Sequence, residues 1–236
     1  MLSAAGVFLC ALLGGCKPPP PPLALRAPYP QPRSLAVLPL MNQSPSSELD
    51  TLRATDALVE ELMRVENLVV YPTNQPLKVL IARGHTHPTS LAEAAEVARS
   101  LGADGVVIGS INDYEPYPPQ KISMTLQLYW LHADMGYEGD DPVRLSRSAS
   151  LRLNRGGGGD GHGSQVQGLY DASSDQTVAR VRVFAQQRNG QDSPYGWRRF
   201  LVDSEGFMHF ACREMVLELM DAELKRITVP VAPGGE

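Results

Sequence analysis

Residues 90–111, SLAEAAEVARSLGADGVVIGSI, leave less structural freedom than any other stretch of this chain. Ser90 and Glu93 stand in capping-box spacing, in which serine and glutamate satisfy each other's orphan amides. Leu91, Ala94, Ala95, Ala98 and Leu101 then recur at helical spacing. Most of them are small, so this helix can sit close to a sheet. Gly102 falls where a helix commonly ends in left-handed backbone. After Ala103-Asp104-Gly105 comes Val106-Val107-Ile108, an unbroken apolar run of the kind found in strands covered on both faces. A helix joined to a strand by so short a link packs back onto the same sheet.

The neighbouring segments supply the rest of that sheet. Residues 34–40 read as a first buried strand and residues 67–71 as a second, stopped by Pro72. Between them, residues 48–65 carry Leu58, Leu62 and Val65 in a helical line, with Ser46 or Ser47 as cap and Glu48 and Asp50 in the first turn. Residues 74–83 form a short helix ended by Gly84. Residues 112–120 read as a turn with three prolines. Residues 121–132 alternate, with Ile122, Met124, Leu126, Leu128 and Trp130 facing the core and Ser123, Thr125, Gln127 and Tyr129 facing solvent. Residues 143–154 alternate again and are expected to pair with them. Residues 155–163, RGGGGDGHG, form a loop, without the Lys and Ser/Thr that a phosphate loop needs. Residues 173–188 are expected to be helical, although TVARVRV also suits a strand. Residues 204–227 form a long helix, capped by Asp203 or Ser204, with Phe210, Leu217, Met220 and Leu224 in line. The expected fold class is α/β (α+β): a mixed sheet with helices packed on it, extended by an antiparallel hairpin and a long C-terminal helix. It occupies residues 34–228 as a single domain, followed by a frayed tail at 229–236.

Residues 1–15 are apolar or small and carry no charge, which fits the core of a secretory signal and is too short for a transmembrane helix. No Lys or Arg stands near Met1, which points to a start further upstream. Leu13-Gly14-Gly15-Cys16 resembles a bacterial lipobox, whose cysteine is diacylated and N-acylated after cleavage. Several acyl chains hold a protein stably, since each buried CH₂ contributes about 0.8 kcal/mol. Lys17 stands where an Asp would mark inner-membrane retention, so the expected site is the periplasmic face of the outer membrane. Residues 16–33 are rich in proline and read as a polyproline-II tether reaching on the order of 50 Å.

The run "SLAVLPL", an amphipathic helix, "NLVVYP", a short helix, "LAEAAEVARSLGADGVVIGSI" and a long alternating strand together resemble one periplasmic lipoprotein superfamily. It includes the curli secretion-channel lipoprotein, the lipoprotein activators of peptidoglycan synthases and the N-terminal domain of the Tol-system propeller protein. Leu101-Gly102-Ala103-Asp104 and Val107-Ile108-Gly109 carry the resemblance most specifically. It implies a mixed sheet with packed helices and covers residues 34–130.

A net charge of -5 argues against nucleic acid as a partner. Arg144, Arg147, Arg152 and Arg155 alternate with apolar residues, as on a solvated strand face. His85 and His87 lack a third ligand at metal spacing, and Asp134, Glu138, Asp140 and Asp141 do not have EF-hand spacing. Cys212 lies inside a helix as a small core residue. No hydrolase, zincin, redox or dinucleotide motif is present. No cofactor, metal or small-molecule substrate is therefore expected. The expected function is that of a non-enzymatic binding or accessory module for an envelope protein complex or the cell wall, anchored to the membrane through lipid on Cys16. Its candidate partner surface is Tyr114, Tyr117 and Pro118, with Pro119, and Tyr195 with Trp197. Two other readings stay open: a subunit of a curli-type secretion pore, and an envelope enzyme whose site assembles across the sequence.

Overall fold

The computed structural model describes residues 25–131, 163–188 and 194–228. Within them the sheet runs in the order β3 (Leu68–Tyr71), β1 (Arg33–Val37), β4 (Gly105–Glu115), β5 (Lys121–Trp130), β6 (Gly163–Asp171). A two-residue strand, β2 (Met41–Asn42), continues the path of β1 along β4. The pairs among β1 to β4 are parallel, and β4–β5 and β5–β6 are antiparallel. Pro39 explains the break between β1 and β2, because proline offers no ladder donor. The next amide, Leu40 N–H, is taken instead by Thr55 Oγ1 at 2.9 Å.

The helices are α1 (Thr51–Met63), α2 (Asn74–Ala82), α3 (Leu91–Ser100), α4 (Asp175–Gln187) and α5 (Ser204–Thr228), with a 3₁₀ turn at Gly196–Leu201. They divide between two cores, one on each face of the sheet. Leu35, Val37, Val107, Leu126 and Leu128 pack with Leu58 and Leu62 of α1 and with Phe207, Phe210 and Leu219 of α5. The alternate residues Ala36, Leu38, Val106 and Ile108 pack with Leu91, Ala94, Val97 and Ala98 of α3. Each fully buried leucine contributes about 1.5–3 kcal/mol. The run at 90–111 is built as its residues dictate: Ser90 Oγ accepts from Glu93 N–H at 3.1 Å, and Gly102 has φ +72°. Gly109 marks a close approach of strand to core, since a Cβ there would lie 2.6 Å from Leu126 Cδ2 and 2.7 Å from the Thr125 carbonyl oxygen.

Several local expectations are corrected. Asp50, not Ser46 or Ser47, caps α1, accepting from the amides of Leu52 and Arg53 at 3.0 and 3.1 Å. Ser44 and Ser46 are used instead in a loop closed on Asn42. The Glu93 carboxylate accepts from the amide and hydroxyl of Thr89, one residue upstream of the expected partner. β4 continues through residues 112–115, which the prolines alone had suggested were turn. Thr125 and Gln127 are buried, not solvated. Because β5 is flanked on both sides, their polar groups pair across strands: Asn112 Nδ2 donates to Thr125 Oγ1 at 2.9 Å and Gln127 Nε2 to Gln165 Oε1 at 2.8 Å. The strand expected at 143–154 lies outside the described residues. The partners that β5 does have are β4 and β6, and β6 was not read from the sequence.

The stretch assigned to the tether is also shorter than its prolines suggest. Ala27 and Tyr29 are buried, and residue 26 bridges to residue 66 beside the start of β3.

Candidate functional site

The sheet has two ends. Gly105 faces Trp130 at one, where β1 starts and β6 begins; Glu115 faces Lys121 at the other. The eleven residues of β4 separate these ends by about 33 Å at about 3.3 Å per residue.

Tyr114, Tyr117 and Pro118 belong to the second end. A groove of about 510 Å³ opens there, lined by Glu48, Asp113, Tyr114, Tyr117, Lys121 and Asp171 among others. The turn is braced from within, as Gln120 Nε2 donates to the Pro116 carbonyl at 3.2 Å. Tyr117 is 62% exposed. Its hydroxyl donates to the Glu48 carboxylate, which, with that group's charge, raises the phenol's pKa. Tyr114 packs partly against the main core; burial raises its pKa, opposed by a hydrogen bond with Ser204 at the start of α5. Lys121 Nζ meets Asp113 at 2.7 Å, and that hydrogen bond and charge, with Asp171 and Glu115 beyond, hold the ammonium above its usual range. Glu48, Asp113, Glu115 and Asp171 face a single lysine in this groove, so its field is negative.

Tyr195 and Trp197 do not line that groove. Tyr195 is 72% exposed, just ahead of the 3₁₀ turn. Trp197 is half-buried against the main core, with the guanidinium groups of Arg182 and Arg198 at 4.4 and 4.8 Å from its ring. The structure therefore splits the expected surface into a tyrosine–proline groove and a separate arginine-stacked tryptophan.

Three buried carboxylates were not singled out in the sequence. Glu61 of α1 has no exposed surface and pairs with Arg188, with Arg64 at 3.9 Å and with His209 at 3.4 Å. Above it lies a second groove of about 530 Å³, walled by Arg64, Arg188, Arg199, Phe200 and His209. Glu214 takes Arg180 at 2.5 Å, and burial still raises its pKa. Glu223 of α5, also without exposed surface, accepts from Tyr29 Oη at 2.6 Å, Trp130 Nε1 at 2.9 Å, Arg226 Nε at 2.9 Å and Ser164 Oγ. Burial alone would raise its pKa, but these donors, Arg226 first, hold it below the usual carboxylate range. One signal was available: Glu61 is three residues after Leu58, and Glu223 four after Leu219, both on apolar lines.

The remaining candidates have ordinary settings. His85 Nδ1 meets Glu93 at 2.6 Å while His87 Nδ1 meets Thr86, so the two rings serve different partners. The Cys212 thiol is buried 4.0 Å from the Ala54 carbonyl, and burial raises its pKa. Among the described residues no group of three or more potential metal ligands converges, and no helix is long and apolar enough to cross a membrane. Cys16 and the acidic turn at 134–141 lie outside the described residues.

No family model and no curated protein matches this chain. Among solved structures it is similar to the C-terminal domain of LpoB from Salmonella enterica, at 19% identity over 42% of this chain and 73% of that one, with a TM-score of 0.36. A lipoprotein from Neisseria meningitidis is similar at 19% identity over 52% and 96%, with a TM-score of 0.32. The PelC dodecamer subunit from Paraburkholderia phytofirmans is similar at 12% identity over 65% and 84%, with a TM-score of 0.34.

Proposed function

We propose that this chain is a lipid-anchored envelope protein that acts as a non-enzymatic binding module, held through Cys16 and meeting an envelope protein with its Tyr114–Tyr117 end. The observation that carries this reading is the polarity of the domain. The proline-rich segment joins the sheet at the Gly105–Trp130 end, and the exposed tyrosine–proline turn lies at the other, about 33 Å away along β4. A protein anchored at its first end presents that turn away from the membrane. The negative groove calls for a partner surface with exposed Lys or Arg. Lys17 after the lipidated cysteine supports the outer membrane as the site. The buried carboxylates Glu61, Glu214 and Glu223 each hold structural cations, which supports a binding role over catalysis.

The test is site-specific photo-crosslinking in the native envelope, with the crosslinker at position 117 and, as control, at Val69, which is 58% exposed and pairs with Ser34 at the anchored end. Position 117 is expected to capture one defined envelope protein and position 69 none. Equal capture from both, or none from 117, would sink the surface assignment. Cys16→Ser is expected to move the protein from the membrane to the soluble fraction; unchanged fractionation would sink the anchor.

A further inference from the structure

We propose that residues 25–32 form a releasable strap that gives the tether two lengths. This rests on the reading of Cys16 as the anchor. Only two of the strap's eight residues, Ala27 and Tyr29, are buried in the main core, and few polar groups fasten it. Ala27 N–H donates to the Glu66 carbonyl at 2.9 Å, Glu66 N–H to the Leu25 carbonyl at 2.8 Å, and Asn67 Nδ2 to the Tyr29 carbonyl at 3.2 Å. The Tyr29 ring lies edge-on to Trp130 with centroids 4.8 Å apart, and its hydroxyl reaches Glu223.

Two features let the strap leave without damage to the sheet. Pro28, Pro30 and Pro32 have no N–H, so the strap is fastened at points and not by a continuous ladder. The ladder proper starts at Arg33, whose amide donates to the Asn67 carbonyl at 3.0 Å. Glu223 also keeps Trp130, Ser164 and Arg226 when Tyr29 departs, so no buried charge is stranded. Segments with few buried contacts open at the low end of a protein's range of local stabilities.

With the strap docked, eight residues separate Cys16 from Leu25; with it peeled, sixteen separate Cys16 from Arg33. A proline-rich spacer at about 3.1 Å per residue then reaches about 25 Å or about 50 Å. The same domain can thus meet its partner at two heights above the membrane.

Native-state amide hydrogen exchange on the full chain tests this. The Ala27 and Glu66 amides are expected to be protected, yet to open in a smaller step than the core amide of Leu38, which donates to Val107. Tyr29→Phe removes only the hydroxyl and is expected to speed exchange at Ala27 and Glu66 roughly tenfold, leaving Leu38 unchanged. Three results would overturn the proposal: exchange at Ala27 and Glu66 as fast as in a free peptide, exchange only together with Leu38, or no response to Tyr29→Phe. Failure of the lipid anchor would show in the Cys16→Ser fractionation and would leave these exchange rates as they are.

Discussion

Arg188→Met is expected to destabilise the fold by about 3 kcal/mol, because it leaves a fully buried carboxylate without its principal cation. Glu61 has no exposed surface, and the Arg188 side chain is only 20% exposed, so solvent screens the pair little. The remaining cations compensate in part: Arg64 stands at 3.9 Å with half its side chain in solvent, and His209 at 3.4 Å. That places the loss at the low end of the range of about 3–5 kcal/mol for breaking a buried pair from one side. In a domain of this size each kcal/mol lowers Tm by about 2–4 °C, so the expected drop is about 6–12 °C. Adding Glu61→Leu removes the stranded charge and fills its space with carbon. The double variant is then expected within about 1 kcal/mol of the parent, because a buried ion pair offsets little more than its own desolvation. Urea unfolding with an unchanged slope reads both numbers. A loss below about 1 kcal/mol for Arg188→Met, or a double variant as unstable as the two single losses added, would refute the reasoning.

Two further outcomes are expected. Gly109→Ala puts a methyl against Leu126, Leu40 and the Thr125 carbonyl, and is expected to cost about 1–3 kcal/mol in the same unfolding assay. Asp104 Oδ2 accepts from the amide and hydroxyl of Ser34, and chiefly the amide bond holds this carboxyl below its usual range. A depressed folded-state pKa adds stability that is present above the ordinary aspartate value of about 4 and is lost as pH falls through the folded value. Asp104→Ala is therefore expected to be less stable than the parent at neutral pH, with the gap closing in strong acid; a gap independent of pH would contradict this.

The parts of the fold that sequence makes legible are those where one period rules. Leu91, Ala94 and Ala98 declare a helix face, and Ile122 to Trp130 a strand face, because burial falls on the same residues that the spacing marks. Polar residues misled where pairing, not solvent, satisfied them. Thr125 and Gln127 look like a wet face, but strands on both sides of β5 bring Asn112 and Gln165 within hydrogen-bond reach. β6 escaped notice because GSQVQGLYD is half polar and contains two glycines, one of them at the close approach of Gly168 to Met215. Of the residues expected to form a partner surface, Tyr114 and Tyr117 share a groove because they lie on one hairpin. Trp197 was set apart by contacts with Arg182 that no local pattern encodes. Glu61 and Glu223 stand on apolar lines, which signals their burial, but no local pattern encodes their donors, which are spread from Tyr29 to Arg226.

Trp130 and Ser164 stand on neighbouring strands, with Leu128 facing Ser164 in the register and both side chains donating to one Glu223 carboxylate. The chain thus leaves β5 and rejoins β6 at adjacent points that are riveted to the same atom pair. The sheet's register at this end is therefore held by a carboxylate of α5 as well as by the ladder between the two strands.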